Sequence, residues 1–289
     1  MRIFLSALSF LALLSCGGSN PGPDAAQFSD NPTLSPIQPG QIDEASGMAD
    51  SRSMPGNLWV HQDSGSPAEL ALLGHDGRVK GKIPVPNAQN RDWEDMSIGP
   101  GPRDGVTYLY IGEIGDNNGQ YESCAIYRFP EPANLNTPIS GVERITFRYP
   151  DGPRDAESLL VDPLTRDIYI ISKRDNPARV YRLPYPQSTS ETLVAQAMGQ
   201  VSISIPTGAT ISPDGTEIII RDYLNVTYWK RQAGESVADA IQRRAGRRLP
   251  YRAEPQGEAV SFEREAKGYF TLSERFNAPS VNLFYYARK

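Results

Sequence analysis

The sequence predicts an all-β chain folded as a β-propeller. Three observations carry that expectation: short β-branched and aromatic runs recur between Gly, Pro, Asn and Asp clusters, helical periodicity is scarce, and one ordered set of strands returns about every 50 residues. The composition of the 289-residue chain, 39% hydrophobic with 25 Gly and 25 Pro, excludes a coiled coil and a disordered tail and fits a globular protein rich in turns. First strands are read at residues 44–48, 94–98, 157–161, 209–213 and 258–262, whose starts lie 50, 63, 52 and 49 residues apart. Second strands follow at 58–61, 108–111, 168–171, 218–220 and 269–272, and third strands at 69–73, 125–129, 178–182, 226–229 and 282–286. Fourth strands fit at 79–85, 144–149 and 201–205, whereas the last copy runs out after its third strand, so its fourth is expected from the segment before Glu44. That closure would remove an open sheet edge. Five blades are expected, or six if one copy has lost its pattern. A two-sheet sandwich is the competing fold, and the matched strand order argues against it. Residues 234–246 read as a short helix inserted in the fourth copy.

The N-terminus has the three-part layout of an export signal: Arg2, an apolar run over residues 3–14, then Ser15 beside Cys16. Twelve apolar residues fall short of the roughly 20 that cross a bilayer. Leu13, Leu14, Ser15 and Cys16 resemble a bacterial lipobox. That resemblance implies cleavage before Cys16 and a lipid on its sulfur, which would hold the protein at a membrane of the bacterial cell envelope. Gly17 in place of Asp favours the outer membrane, and an ordinary secretory signal is the alternative. The expected organisation is a signal peptide at 1–15, a lipidated Cys16 with a tether to residue 41 containing five Pro and four Gly, and the propeller at 42–289. With Cys16 lipidated, Cys124 has no disulfide partner and is expected to be a buried, inert thiol.

Charge and histidine content narrow the chemistry. A formal charge of -5, with 29 Lys plus Arg against 34 Asp plus Glu, gives no footprint for nucleic acid. Only His61 and His75 are present, too few for a multi-histidine zinc site or most histidine-based hydrolase mechanisms. Carboxylates remain. Glu44, Glu94, Glu157 and Glu258 begin four of the five first strands, and Asp63, Glu113, Lys173, Asp222 and Glu274 end the second strands. In an antiparallel hairpin these places lie at one end, and first strands line a propeller's channel, so the acids should gather at one mouth, with Asp43, Asp92, Asp95 and Asp155 nearby. Like charges brought together need protons, cationic partners or a metal. Calcium accepts six to eight oxygen ligands in loose geometry, and Glu44, Asp63, Glu94, Glu113, Glu157, Glu258 and Glu274 are its candidate ligands. Arg91, Asp92, Arg154, Asp155 and Lys173, from two Arg-Asp-x-Glu motifs and the third blade, are candidates for holding a small ligand. Alternatively the acids accept hydrogen bonds from the next blade's backbone, with Arg91, Arg154, Lys173 and Arg174 neutralising the rest.

The Glu followed by a small residue, at Glu44, Glu157 and Glu258, together with the aromatic second strands, resembles the calcium-dependent propellers that include alkaline phytases and regucalcin-type lactonases. The stretch from Trp59 to Asp95 is similar in layout to the first blades of propeller phytases. The resemblance implies a metal-bearing axial pocket and departs where phytases place several Lys and Arg around calcium to hold phosphate. Two functions are therefore expected as alternatives. The first is a lipid-anchored binding or scaffold module whose acidic mouth takes a divalent cation or ligand; the second is a calcium-dependent phosphoesterase or lactonase in which Glu94 or Glu157 activates water.

Overall fold

The computed structural model describes residues 26–289, so the export signal and Cys16 lie outside the described residues. Five sheets form five blades. Strand β1 (Thr33–Ile37) comes first in the chain but belongs to the last blade. The first blade is β2 (Ala45–Asp50), β3 (Asn57–Gln62), β4 (Glu69–Gly74) and β5 (Val79–Pro84). The second is β6 (Trp93–Pro100), β7 (Thr107–Glu113), β8 (Cys124–Pro130) and β9 (Glu143–Arg148). In the third, β10 (Ala156–Val161), β11 (Ile168–Ser172) and β12 (Ala178–Leu183) are followed by β13 (Leu193–Val194), which pairs with β9 of the blade before, and then by β14 (Gln196–Val201). The fourth is β15 (Pro206–Ile211), β16 (Glu217–Asp222), β17 (Val226–Lys230), the helix α1 (Val237–Gln242) and the edge strand β18 (Arg247–Arg248). The fifth is β19 (Gln256–Phe262), β20 (Gly268–Glu274) and β21 (Val281–Ala287), completed by β1.

The reason for this arrangement is visible in the second strands. Ile168 to Ile171 and Ile218 to Ile220 are apolar at every position, so neither face of their sheet can meet water. Ile168 and Ile170 pack with Tyr108, Tyr110 and Ile126 of the second blade, whereas Tyr169 and Ile171 pack with Ile218, Ile220 and Trp229 of the fourth. The same division repeats between each adjacent pair of blades, giving five apolar layers in place of one central core. The first strands β2, β6, β10, β15 and β19 touch in succession and close the ring at β19 with β2.

The N-terminal segment departs from the tether expected up to residue 41. Residues 33–37 pair along β21, which confirms the expected closure, and Phe28 forms a bridge with Arg288 and sits edge-on to Tyr228 and Tyr269. The Pro-rich composition hid a strand because its pairing is supplied by the far end of the chain. Phe28 is 2% exposed, so Phe28→Ala should cost about 3–5 kcal/mol, read as a lower denaturant midpoint with an unchanged slope. In the third blade the fourth strand is Gln196–Val201 and not 201–205. Helix α1 falls within the expected insertion and is capped by Ser236, whose hydroxyl accepts from the Asp239 N–H while the Asp239 carboxylate accepts from the Ser236 N–H.

Candidate metal centre

One irregularity recurs in every blade. The pairing of first and second strands slips between Ala45 and Gly47, Trp93 and Met96, Ala156 and Ser158, Pro206 and Gly208, and Gly257 and Ala259. A bulge re-aims the residue it leaves unpaired. Those residues are Ser46, Glu94 with Asp95, Glu157, Thr207 and Glu258, so three blades place a glutamate there and two a hydroxyl. The hydroxyls tie blades together: Ser46 donates to the Glu94 carbonyl, and Thr207 to the Gly257 carbonyl at 2.9 Å.

Asp95 and Glu94 are adjacent and do different work. Asp95 is fully buried and its Oδ2 accepts from the backbone N–H of Leu159 at 2.8 Å and of Ala209 at 2.9 Å, bonding the third and fourth blades to the second. For this residue the alternative reading of the acids holds. With the Met96 N–H that its Oδ1 accepts at 2.8 Å, Asp95→Ala orphans three buried N–H groups and should cost roughly 3–9 kcal/mol, measured by chemical denaturation. The Glu94 carboxylate forms no hydrogen bond or ion pair among the described residues, yet the residue is only 3% exposed.

Around Glu94 the carboxylates converge. One ligand oxygen from each of Asp63, Asp92 and Glu94 lies within 4.8 Å of the others, and the same holds for Glu94, Asp155 and Glu157. Asp63 and Asp92 are half-buried; Asp155, Glu157, Glu258 and Glu274 are buried. Gly115 borders the group, and a Cβ there would lie 2.2 Å from Glu94 Oε1 and 2.4 Å from Asp92 Oδ2. Among the described residues, two cations form ion pairs with these seven acids. Lys173 Nζ bonds Glu157 Oε1 and lies 5.3 Å from the centre of the Tyr223 ring, and Arg174 Nε is 2.8 Å from Asp155 Oδ2. The other Glu157 oxygen, Oε2, is buried without a partner.

Burial first, then mutual repulsion, pushes Glu94 well above the usual carboxylate range. Burial also raises Glu157, although Lys173 opposes it, and raises Asp63 and Glu258. Burial and the charge of Asp63 lift Asp92 to about 6, and burial with the charges of Glu258 and Glu44 lifts Glu274 to about 9. Without a cation, the cluster is an arrangement that resists ionisation.

The structure places the remaining candidates differently. Glu44 is exposed and sits two residues before its blade's bulge. Its carbonyl accepts from Asp63 N as the Asp155 carbonyl accepts from Lys173 N, so its counterpart is Asp155 and not Glu157. Glu44 is therefore a rim charge. Glu113 accepts from the N–H groups of Arg91 and Asp92 and from the Trp93 indole, and pairs with Arg91 at 3.3 Å. Neutral Gln62 does the same for Asp43 and Glu44 in the first blade, so Glu113 holds its own loop and its oxygens are engaged. Arg91 lies over the Tyr121 ring at 3.9 Å, and Arg154 pairs with Asp151 and Asp175 at 2.9 and 2.8 Å, away from the acids. Arg154 is drawn to its own pair of aspartates, whereas Arg91 keeps an Nη2 without a hydrogen-bond partner and its charge acts on Asp92. His61 is buried against Trp93, and burial lowers it to about 4. Burial lifts the Cys124 thiol to about 11, in keeping with an inert residue. Tyr223 and Gly115 were not legible as parts of the site, since neither belongs to the acidic pattern.

No protein-family model matches the chain, and no curated protein matches it. Among solved structures, a chain of Kuenenia stuttgartiensis hydrazine synthase superposes with a TM-score of 0.43 and 11% identity over 86% of this chain and 96% of that one. So remote a likeness carries no functional argument. The five radial sheets themselves establish the β-propeller.

Proposed function

We propose that the acidic mouth binds a divalent cation, calcium by its ligand chemistry, and that the protein is a binding or scaffold module of a bacterial cell envelope held there through Cys16. The observation that carries the metal reading is Glu157 Oε2, buried without a partner, beside a buried Glu94 carboxylate that no described residue bonds, in a cluster of seven acids of which, among the described residues, cations pair only Glu157 and Asp155. An unpaired buried carboxylate is costly and a hard cation removes the cost. The donor set is all oxygen, which disfavours zinc. Asp63, Asp92, Glu94, Asp155 and Glu157 are the ligands this reading assigns, with Glu258 and Glu274 beside them. The resemblance to calcium-dependent propellers agrees with it, and the lipobox-like sequence supports the anchor.

Trp93 precedes Glu94 in the chain and provides a probe. Terbium bound at the cluster should luminesce on indole excitation, and calcium should displace it. Absence of sensitised luminescence, or displacement by zinc in preference to calcium, contradicts the proposal. Labelling with a radioactive fatty acid, lost in Cys16→Ser, tests the anchor separately.

A further inference from the structure

The densest positive charge in this acidic protein lies on the outer edge of the fourth blade. Arg243, Arg244, Arg247, Arg248 and Arg252 fall within ten residues that contain no Asp or Glu. Arg243, Arg244 and Arg248 line one cavity of about 390 Å³ together with Thr227, Trp229 and Gly246. Their side chains are 55%, 38% and 60% exposed. The neighbouring acids do not cancel them: Arg243 and Arg244 share the single buried carboxylate of Glu235, and Arg248 reaches Asp222 only at 3.5 Å while donating to Thr227 Oγ1 at 2.9 Å. Arg252 is exposed.

A second observation fixes where this edge stands. Arg247 donates to the Ala26 carbonyl, so the chain that leads back to Cys16 departs beside the arginines. Nine residues lie between Cys16 and Ala26, which limits the reach to about 35 Å even when fully extended. We propose that this cavity is a phosphate-binding site for the headgroups of an anionic lipid surface, so that the propeller lies edge-on against the membrane with its channel mouth opening sideways into the aqueous space. The orientation rests on the anchor reading. The phosphate chemistry rests on the arginines alone, whose planar donors suit phosphate oxygens.

The test uses the chain from residue 16 with Cys16→Ser, so that no acyl chain contributes, and vesicles of phosphatidylglycerol or phosphatidylcholine. Co-sedimentation with phosphatidylglycerol vesicles is expected, weakening by about fivefold for each arginine removed and disappearing at high salt. The variant R243Q/R244Q/R248Q/R252Q should lose several hundredfold in binding. Because it strips the buried Glu235 of both its arginines, R248Q/R252Q, which leaves Glu235 paired and Arg247 on Ala26, is the folding control: it should lose about 25-fold while melting at the parent's temperature. R243K/R244K/R248K/R252K should bind more weakly than the parent but more tightly than the matching glutamine variant, because the charge remains and the planar donors do not. Equal binding to both lipids, binding unchanged in the glutamine variant, or tighter capture by a DNA duplex than by vesicles overturns the proposal. A response to inorganic phosphate without vesicle binding overturns the lipid source. Failure here with intact fatty-acid labelling leaves the anchor standing, and the converse result separates them as well.

Discussion

Glu94→Gln is expected to raise the melting temperature of the metal-free protein and to remove its response to calcium, whereas Glu157→Gln should lower stability. The two glutamates occupy the same bulge position in adjacent blades and differ in what faces them. Among the described residues nothing bonds the Glu94 carboxylate, so it contributes desolvation and repulsion. An amide of the same shape removes the charge and can donate to Asp92, Asp155 or Glu157. A gain of about 1–2 kcal/mol follows, or about 3–6 °C for a domain of this size. Glu157 instead holds Lys173, which is 8% exposed. Its loss leaves a buried ammonium without its partner and should cost about 3–5 kcal/mol. Calcium at one hundred times its dissociation constant should stabilise the parent by about 2.7 kcal/mol and neither variant by a comparable amount. Calorimetric scans with and without calcium read all of these. Equal destabilisation by both substitutions would show that Glu94 has a structural bond like that of Asp95.

The second expectation concerns pH. Asp92 and Glu274 titrate at about 6 and about 9 in the folded protein, and Glu94, Glu157 and Glu258 are also displaced upward. For a carboxylate raised in the folded state, the unfolded chain releases its proton first as pH rises. The unfolded state then binds fewer protons than the native one, so stability falls with pH from the ordinary carboxylate range up to the folded value. The metal-free protein should therefore be most stable near pH 5 and lose stability progressively toward pH 9, with Asp92 contributing below about pH 6 and Glu274 across the whole interval. Calcium needs the ionised oxygens, so its affinity should rise over the same interval and binding should release protons. Saturating calcium should flatten the pH profile. Titration calorimetry in buffers of different ionisation enthalpy measures the protons released; a metal-free stability that rises between pH 6 and pH 9 contradicts the account.

These expectations also show which features were legible in the sequence. The blades were, because a sheet buried on both faces writes itself as an unbroken apolar run such as Ile168 to Ile171, and because the order of strands repeats. The convergence of acids was legible for Glu94, Glu157 and Glu258 by the same repetition. The frame within each strand was not. A bulge adds a residue without any mark in hydrophobic alternation, so Glu44 was aligned with Glu157 when Ser46 is its counterpart, and Ala209 was aligned where Thr207 belongs. The offset decides function, since Glu44 stands exposed at the rim while Asp155 reaches the cluster. The directions of charged side chains were equally hidden. Glu113 and Arg91 are paired with each other, and Arg154 is drawn off by Asp151 and Asp175, residues with no place in the repeated pattern.

A cation must enter the space between Glu94, Asp155 and Glu157, and the most direct measurement of it is a long-wavelength anomalous difference map from crystals equilibrated with calcium. A single strong peak within calcium–oxygen bonding distance of those three carboxylates, absent in Glu94→Gln, is the predicted result. A map with no peak there at saturating calcium, and with Lys173 still bonded to Glu157 as the cluster's own counter-ion, would contradict it.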